Sequence, residues 1–165
     1  MQISAAMQAK LNQQVTHEFH ASQSYLAMSC QFEVRGLKNL AALFRKQSNE
    51  ERGHALKLVE YLLDVGADVS LGEIPAPKTA YATPLAAIEA AIKHEKKVTR
   101  QIHDLVALAD KEKDYATRSF LNWFVDEQVE EINSMEHVEQ LARMAEDRLL
   151  QLESAIRHLL EGKGG

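Results

Sequence analysis

The sequence is poor in residues that break helices or staple loops. Of its 165 residues, 3 are proline and 7 are glycine, and no glycine lies between Glu73 and Glu161. Aromatic residues make up 6% of the chain, and runs of β-branched residues are missing. Sheet proteins draw on both, so long helices are the natural reading. Cys30 is the single cysteine, which excludes an intramolecular disulfide and a thiolate-based zinc site. Unbroken apolar runs stop at five residues, 40–44 and 105–109, far short of the roughly 20 needed to span a bilayer. The first ten residues, MQISAAMQAK, contain no apolar signal-peptide core, so the expected compartment is the cytosol. An excess of positive charge is also missing. The 19 basic and 24 acidic residues leave a formal charge of −5, which argues against nucleic acid and anionic membrane surfaces as partners.

What is present is a sizeable core-forming fraction: 45% of residues are hydrophobic and 26% are charged. At roughly 150 residues per domain this is one globular unit. Four long helices are predicted, over residues 5–34, 37–65, 84–110 and 115–144, followed by a shorter fifth over 147–160. Arg35-Gly36 separates the first two. Gly72, Pro75 and Pro77 mark residues 67–82 as a loop. Thr83-Pro84 is a helix start, an N-cap hydroxyl followed by proline at the first helical position. Residues 111–114, KEKD, form the next turn, with Asp114 as N-cap. The chain therefore divides into a bundle over 1–145 and a short helix with a flexible tail over 146–165.

A core-facing stripe in a helix bundle advances in alternating steps of three and four. In the first helix the stripe reads Leu11, Val15, Glu18, Ser22, Tyr25, Ser29, Phe32. In the second it reads Leu40, Phe44, Gln47, Glu51, His54, Leu58, Tyr61, Val65. In the third it reads Ile88, Ile92, Glu95, Thr99, Ile102, Val106. In the fourth it reads Leu121, Phe124, Gln128, Glu131, Met135, Val138. Every stripe is apolar at both ends and polar in the middle. Glu18 and Glu51 lie symmetrically about residues 34–35, beside the first turn, and Glu95 and Gln128/Glu131 lie symmetrically about the third. Antiparallel hairpins therefore place these acids in one layer. A 16-residue loop reaches about 50 Å at roughly 3.3 Å per residue. That is long enough to cross the bundle and make the second and third helices parallel.

Burying an unpaired carboxylate costs several kcal/mol, and four in one layer demand compensation. The stripes offer no Lys or Arg at that depth. An oxygen-rich set with one imidazole suits iron or manganese. Glu51-x-x-His54 puts two ligands on one helix face, as di-iron carboxylate bundles do. Glu127/Glu130 and Gln128/Glu131 are competing i, i+3 pairs, and the stripe selects the second as core-facing.

The stretches LNQQVTHEFHASQSYLAMS, NEERGH, IKHEKKVTRQIHDL and FLNWFVDEQVEE together resemble the non-haem bacterial ferritins over essentially the whole chain. The resemblance implies an all-α, ferritin-like four-helix bundle with a long crossover between helices two and three and a short C-terminal helix. It further implies a ferroxidase centre. Glu18, Glu51 and His54 would hold a first iron, with Glu51 bridging, and Glu95, Gln128 and Glu131 would serve a second. Tyr25 and Trp123 match an aromatic pair beside that centre. Glu50, Glu127, Glu130 and Glu131 match a third iron site. Implied partners are Fe(II), dioxygen or hydrogen peroxide, and further copies of the chain in a 24-subunit shell, the fifth helix gathering at its four-fold axes. Bacterioferritins carry a haem-ligating methionine where this chain has Arg52, so no haem is expected. Their second Glu-x-x-His pair is Gln128-x-x-Glu131 here. Acidic channel positions of animal ferritins are Arg118 and Leu121 here, which points to another route for iron. A di-iron oxygenase, an inactive shell subunit and a DNA-protecting mini-ferritin fit the residues less well. The remaining histidines, His17, His20, His94, His103, His137 and His158, fall off the stripes and read as solvated or paired, and Cys30 reads as a small buried or interface residue.

Overall fold

In a computed structural model, residues 3–162 are described; of the GKGG tail expected over 162–165, Gly162 ends a helix and 163–165 lie outside the described residues. Five helices account for most of these residues: α1 (Ala5–Val34), α2 (Lys38–Asp64), α3 (Pro84–Glu112), α4 (Tyr115–Ala145) and α5 (Leu149–Gly162). Their starts follow from local chemistry. The hydroxyls of Ser4 and Thr83 and the carboxylate of Asp114 accept from Met7, Ala86 and Thr117 backbone N–H groups, satisfying donors that a helix start leaves open. The ends of α1, α2 and α3 share one device. Gly36, Gly66 and Lys113 each adopt a left-handed conformation, with φ of 77°, 72° and 56°. The next residue then donates back five positions, Leu37 to Phe32, Ala67 to Leu62 and Asp114 to Ala109. The third turn is tighter than the KEKD reading, because Lys111 and Glu112 remain helical and Lys113 alone reverses the chain.

The crossover is legible in its tethers. Asn12 donates to the Asp68 carbonyl and accepts from the Ser70 N–H, at 2.9 and 2.6 Å. Gly72 lies so close over Thr16 that a Cβ there would meet its hydroxyl at 2.9 Å. Farther on, Tyr81 N–H donates to Gln31, and Arg35 donates to the Tyr81 carbonyl. The loop therefore runs along α1 from residue 12 to residue 35, about 35 Å at 1.5 Å per residue. It delivers α3 to the far end of the bundle, parallel to α2 and antiparallel to α1.

The stripes lie inside as their spacing predicts, with Ser22, Tyr61, Thr99 and Val106 only half-buried. They build two apolar clusters. One gathers Tyr25, Phe32, Leu40, Phe44, Ile88 and Val138. The other gathers Leu11, Val15, Leu58, Ile102, Leu121 and Phe124. The polar layer separates them. Leu152 and Ile156 of α5 bury in the first cluster, against their own bundle, while Leu150 stays 89% exposed. The Glu153 carboxylate accepts from the Asn39 and Leu40 N–H groups at 2.8 and 2.9 Å. These donors belong to the first turn of α2, whose own N-cap residue, Leu37, supplies no side-chain bond. Residue 153 thus caps a helix that began 115 positions earlier. Cys30, expected to be buried or at an interface, is exposed in this chain because it projects off the stripe one step past Ser29. Among the described residues no helix is long and apolar enough to cross a membrane.

Candidate metal centre

Glu18, Glu51, His54, Glu95, Gln128 and Glu131 are all buried, between 1% and 6% exposed. Glu18 comes from α1, Glu51 and His54 from α2, Glu95 from α3, and Gln128 and Glu131 from α4. The antiparallel register sets them at one depth. Ligand atoms of Glu18, Glu51 and His54 all lie within 4.8 Å of one another. His54 Nδ1 is 3.2 Å from Glu51 Oε2. Gln128 Nε2 donates to Glu95 Oε2 at 3.2 Å and shares that amide with the Thr99 hydroxyl. The Tyr25 hydroxyl donates to Glu95 Oε1, which puts the phenol in direct contact with the layer.

Two carboxamides that spacing did not single out complete the arrangement. Gln14 Nε2 donates to Glu18 Oε1 at 2.7 Å. Gln47 Nε2 donates to Glu131 Oε2 and reaches Glu51 Oε1 at 3.5 Å. Gln14 lies a full turn before Glu18, one step off the stripe. Gln47 stands on the stripe, but a carboxamide there reads equally well as packing. The signal for each was its spacing of four from a buried glutamate.

The layer's electrostatics call for a cation. Burial, and then the neighbouring Glu51, push the Glu18 carboxyl well above its usual range. Burial and the charge of Glu95 do the same to Glu51. Burial raises Glu95, and burial with Glu95 raises Glu131 to about 7. Burial is the first cause for each carboxyl, and for Glu18, Glu51 and Glu131 a neighbouring carboxylate adds to it. Among the described residues no Lys or Arg is bonded or ion-paired to the set. Glu18 Oε2 is buried without any hydrogen-bond partner. An orphan carboxylate oxygen facing a second carboxylate and an imidazole fits a divalent cation better than any group the chain itself supplies.

The third-site residues gather separately. Glu50, Glu127, Glu130 and Glu131 line one pocket of about 60 Å³, with Lys46 at its rim and Leu159 and Leu160 of α5 closing one side. Glu127 is half-buried and Glu130 is exposed. His54 ties this group to the centre, because its ring also stands within 4.8 Å of Glu127 and Glu131 ligand atoms. Trp123, 38% exposed, packs edge-on against His54 at 5.4 Å between ring centroids. It carries the Lys57 ammonium 4.5 Å above its ring. Three of the histidines read as solvated or paired are partly covered, and of these His17 is paired, its Nδ1 3.4 Å from Gln14 Oε1. His17, His20 and His94 are half-buried in the groove between α1 and α3. Burial lowers all three, His94 to about 4, and His94 Nε2 has no partner. His20 stands 6.1 Å from His94, and His94 stands 6.2 Å from Tyr25, between ring centroids. Their burial comes from the partner helix, which the spacing along one helix does not reveal. His103 and His137 are exposed, and exposed His158 sits 3.8 Å from Glu161.

The fold and the layer define a class: four-helix bundles with a carboxylate-rich core and a long crossover. Comparison with known proteins narrows it. Residues 8–144 match the family described as Ferritin-like domain. The chain is 41% identical to a bacterial non-heme ferritin of Staphylococcus saprophyticus and 40% identical to one of Staphylococcus haemolyticus. Each match spans 138 residues and 83% of both chains. Among solved structures it superimposes with a TM-score of 0.91 on an open pore ferritin from the archaeon Archaeoglobus fulgidus. That match is 37% identical and covers 93% of this chain and 96% of that one. A closed form engineered from the same archaeal ferritin gives 0.92 at 36% identity, covering 95% and 96%. The chain belongs to the ferritin family.

Proposed function

We propose that this protein is an iron-storage ferritin that oxidises Fe(II) at an intrasubunit di-iron centre and stores Fe(III) as a mineral inside a 24-subunit shell. The observation that carries the reading is the buried Glu18, Glu51 and His54 set with its orphan Glu18 oxygen, facing Glu95, Gln128 and Glu131 across one layer. Fe(II) is the substrate. Glu18, Glu51 and His54 would receive one ion, and Glu95, Gln128 and Glu131 the other, with Glu51 shared. Each pair of ions gives up two electrons. Dioxygen takes them with two protons and leaves as hydrogen peroxide; peroxide takes them with two protons and leaves as two waters.

The chain's own groups set the terms. Gln14 and Gln47 hold Glu18, Glu51 and Glu131 in place. Four carboxyls that resist ionisation when empty bind metal by releasing protons, so binding tightens as pH rises. Gln128 is neutral, which lowers the negative charge at the second position and favours departure of the ferric product. Tyr25 keeps its proton, since burial and Glu95 raise it well above its ordinary range, and its hydroxyl steadies Glu95. The pocket of Glu50, Glu127 and Glu130 gives a further iron a station beside Glu131. No haem is assigned. The exposed apolar residues at the α4–α5 corner, Met144, Leu149 and Leu150, suit contact with neighbouring subunits. The compartment proposed is the cytoplasm.

Aerobic loading tests the reading. The protein is given Fe(II) well beyond the two or three ions its sites could hold, then sized and imaged. Soluble ferric iron co-eluting with a hollow particle of several hundred kilodaltons is expected from a chain of 18.5 kDa. Oxidation of about two ions on a small oligomer, with nothing retained, would replace storage with a simple di-iron enzyme.

A further inference from the structure

The layer is approached by two pockets of opposite character. The one between α2 and α4 presents Glu50, Glu127, Glu130 and Glu131, a lining that attracts cations. The other, about 180 Å³, opens between α1 and α3 under the crossover loop and contains no carboxylate. Ser24, Met28, Ala90, His20 and His94 line it, and Tyr25, buried beneath the surface, lines it too. Lys78 also lines it, its ammonium over the Tyr81 ring at 4.6 Å from the centroid. Tyr25 is 1% exposed and bonds Glu95, so a molecule against Tyr25 is one side chain from the layer. His94 Nε2, buried and without a partner, offers a small polar guest a hydrogen bond.

Resting on the ferroxidase reading, we propose that the α1–α3 pocket is where the oxidant, a small uncharged oxygen species, reaches the centre. Fe(II) is kept from it by the lysine that lines it and by the lack of any carboxylate. Dioxygen and hydrogen peroxide are both uncharged and small enough for the space. Separate doors have a chemical use. Fe(II) and oxidant then meet only at the layer, where both electrons are collected together, and not in an open channel.

Ala90→Phe fills the pocket, and Ser24→Leu narrows it from the α1 side. Both residues are half-buried, and neither belongs to the ligand set. The assembled protein is compared with each variant in three measurements. These are Fe(II) oxidation against dioxygen concentration, Fe(II) oxidation against peroxide concentration under anaerobic conditions, and binding of Zn(II) to the metal-free protein. The expected result is a rise of tenfold or more in the KM for oxidant, with Zn(II) affinity within twofold of the unmodified protein. A rise for one oxidant alone identifies which one uses the pocket. KM values within twofold for both oxidants in both variants overturn the proposal. A parallel loss of Zn(II) binding overturns it too, since the pocket wall would then be supporting the centre, not feeding it. Failure of the unmodified protein to oxidise Fe(II) overturns the functional reading itself, a result distinct from the others.

Discussion

At the scale of single residues, the layer is a set of acids in which one member is neutral. Gln128 spends its amide on Glu95 and Thr99, so the proposed second iron position would carry one negative charge fewer than a fifth glutamate would give it. Gln128→Glu is expected to bind Fe(III) more tightly and to slow its transfer to the mineral several-fold. Stopped-flow oxidation followed by a chelator challenge reads both steps, and unchanged release would remove this role from Gln128. Much of this set is legible in the sequence. Acids repeated at core spacing have no bland explanation, because burial taxes each of them heavily. Gln14 and Gln47 were harder to read, since a carboxamide on or near a stripe packs and hydrogen-bonds without consequence in many bundles. His94 was misread for a different reason: nothing within α3 says that α1 will cover it.

At the scale of elements, helix ends carry the testable content. Lys113 occupies a left-handed C-cap at φ 56° and ψ 32°, a conformation that costs a residue with a side chain roughly 1–2 kcal/mol. Gly36 and Gly66 fill the equivalent places without that cost. Lys113→Gly is therefore expected to stabilise the subunit by about 0.5–1 kcal/mol after the extra entropy of an unfolded glycine is set against it. Thermal unfolding with ligand-free protein checks the sign. Removing the Glu153 carboxylate has the opposite effect. Glu153→Ala leaves the Asn39 and Leu40 N–H groups without their acceptor, a loss of about 1 kcal/mol for a helix cap. It should also raise amide exchange at residues 39–40 while leaving the middle of α2 protected. Protection unchanged at those two amides would show that α5 docks through its leucines alone. The four long helices and both Gly turns were visible in sequence because punctuation and periodicity agree there. The Glu153 cap was not, since no local pattern joins positions 39 and 153.

At the scale of the whole molecule, the polar layer divides the core in two and makes stability depend on pH and metal together. Glu131 titrates near 7 in the folded chain, against about 4.3 for an unperturbed glutamate. Glu18, Glu51 and Glu95 are displaced in the same direction. Between the unfolded and folded values the native state holds more protons. Its stability is therefore full at acid pH and falls as pH rises toward 7, by up to about 1.4 kcal/mol per pH unit for each such group. Metal-free protein is expected to melt at a higher temperature at pH 5.5 than at pH 7.5. With saturating Zn(II) the order should reverse, because the cation replaces the protons. Calorimetry of the two forms decides it, and a metal-free melting point that climbs from pH 5.5 to 7.5 would sink the account.

The reach of Glu153 has a consequence in time. The α1–α2 hairpin is complete in the nascent chain once Asp64 has been made, yet its missing cap is encoded about 90 residues later. At 5–20 residues per second that is a delay of roughly 5–18 s. For that interval α2 begins with bare amides, beside apolar surface that Leu152 and Ile156 have yet to cover. A chain cut short before α5 keeps both defects permanently. The α5 segment thus completes the first hairpin from a distance, and a subunit without it starts α2 with unsatisfied amides.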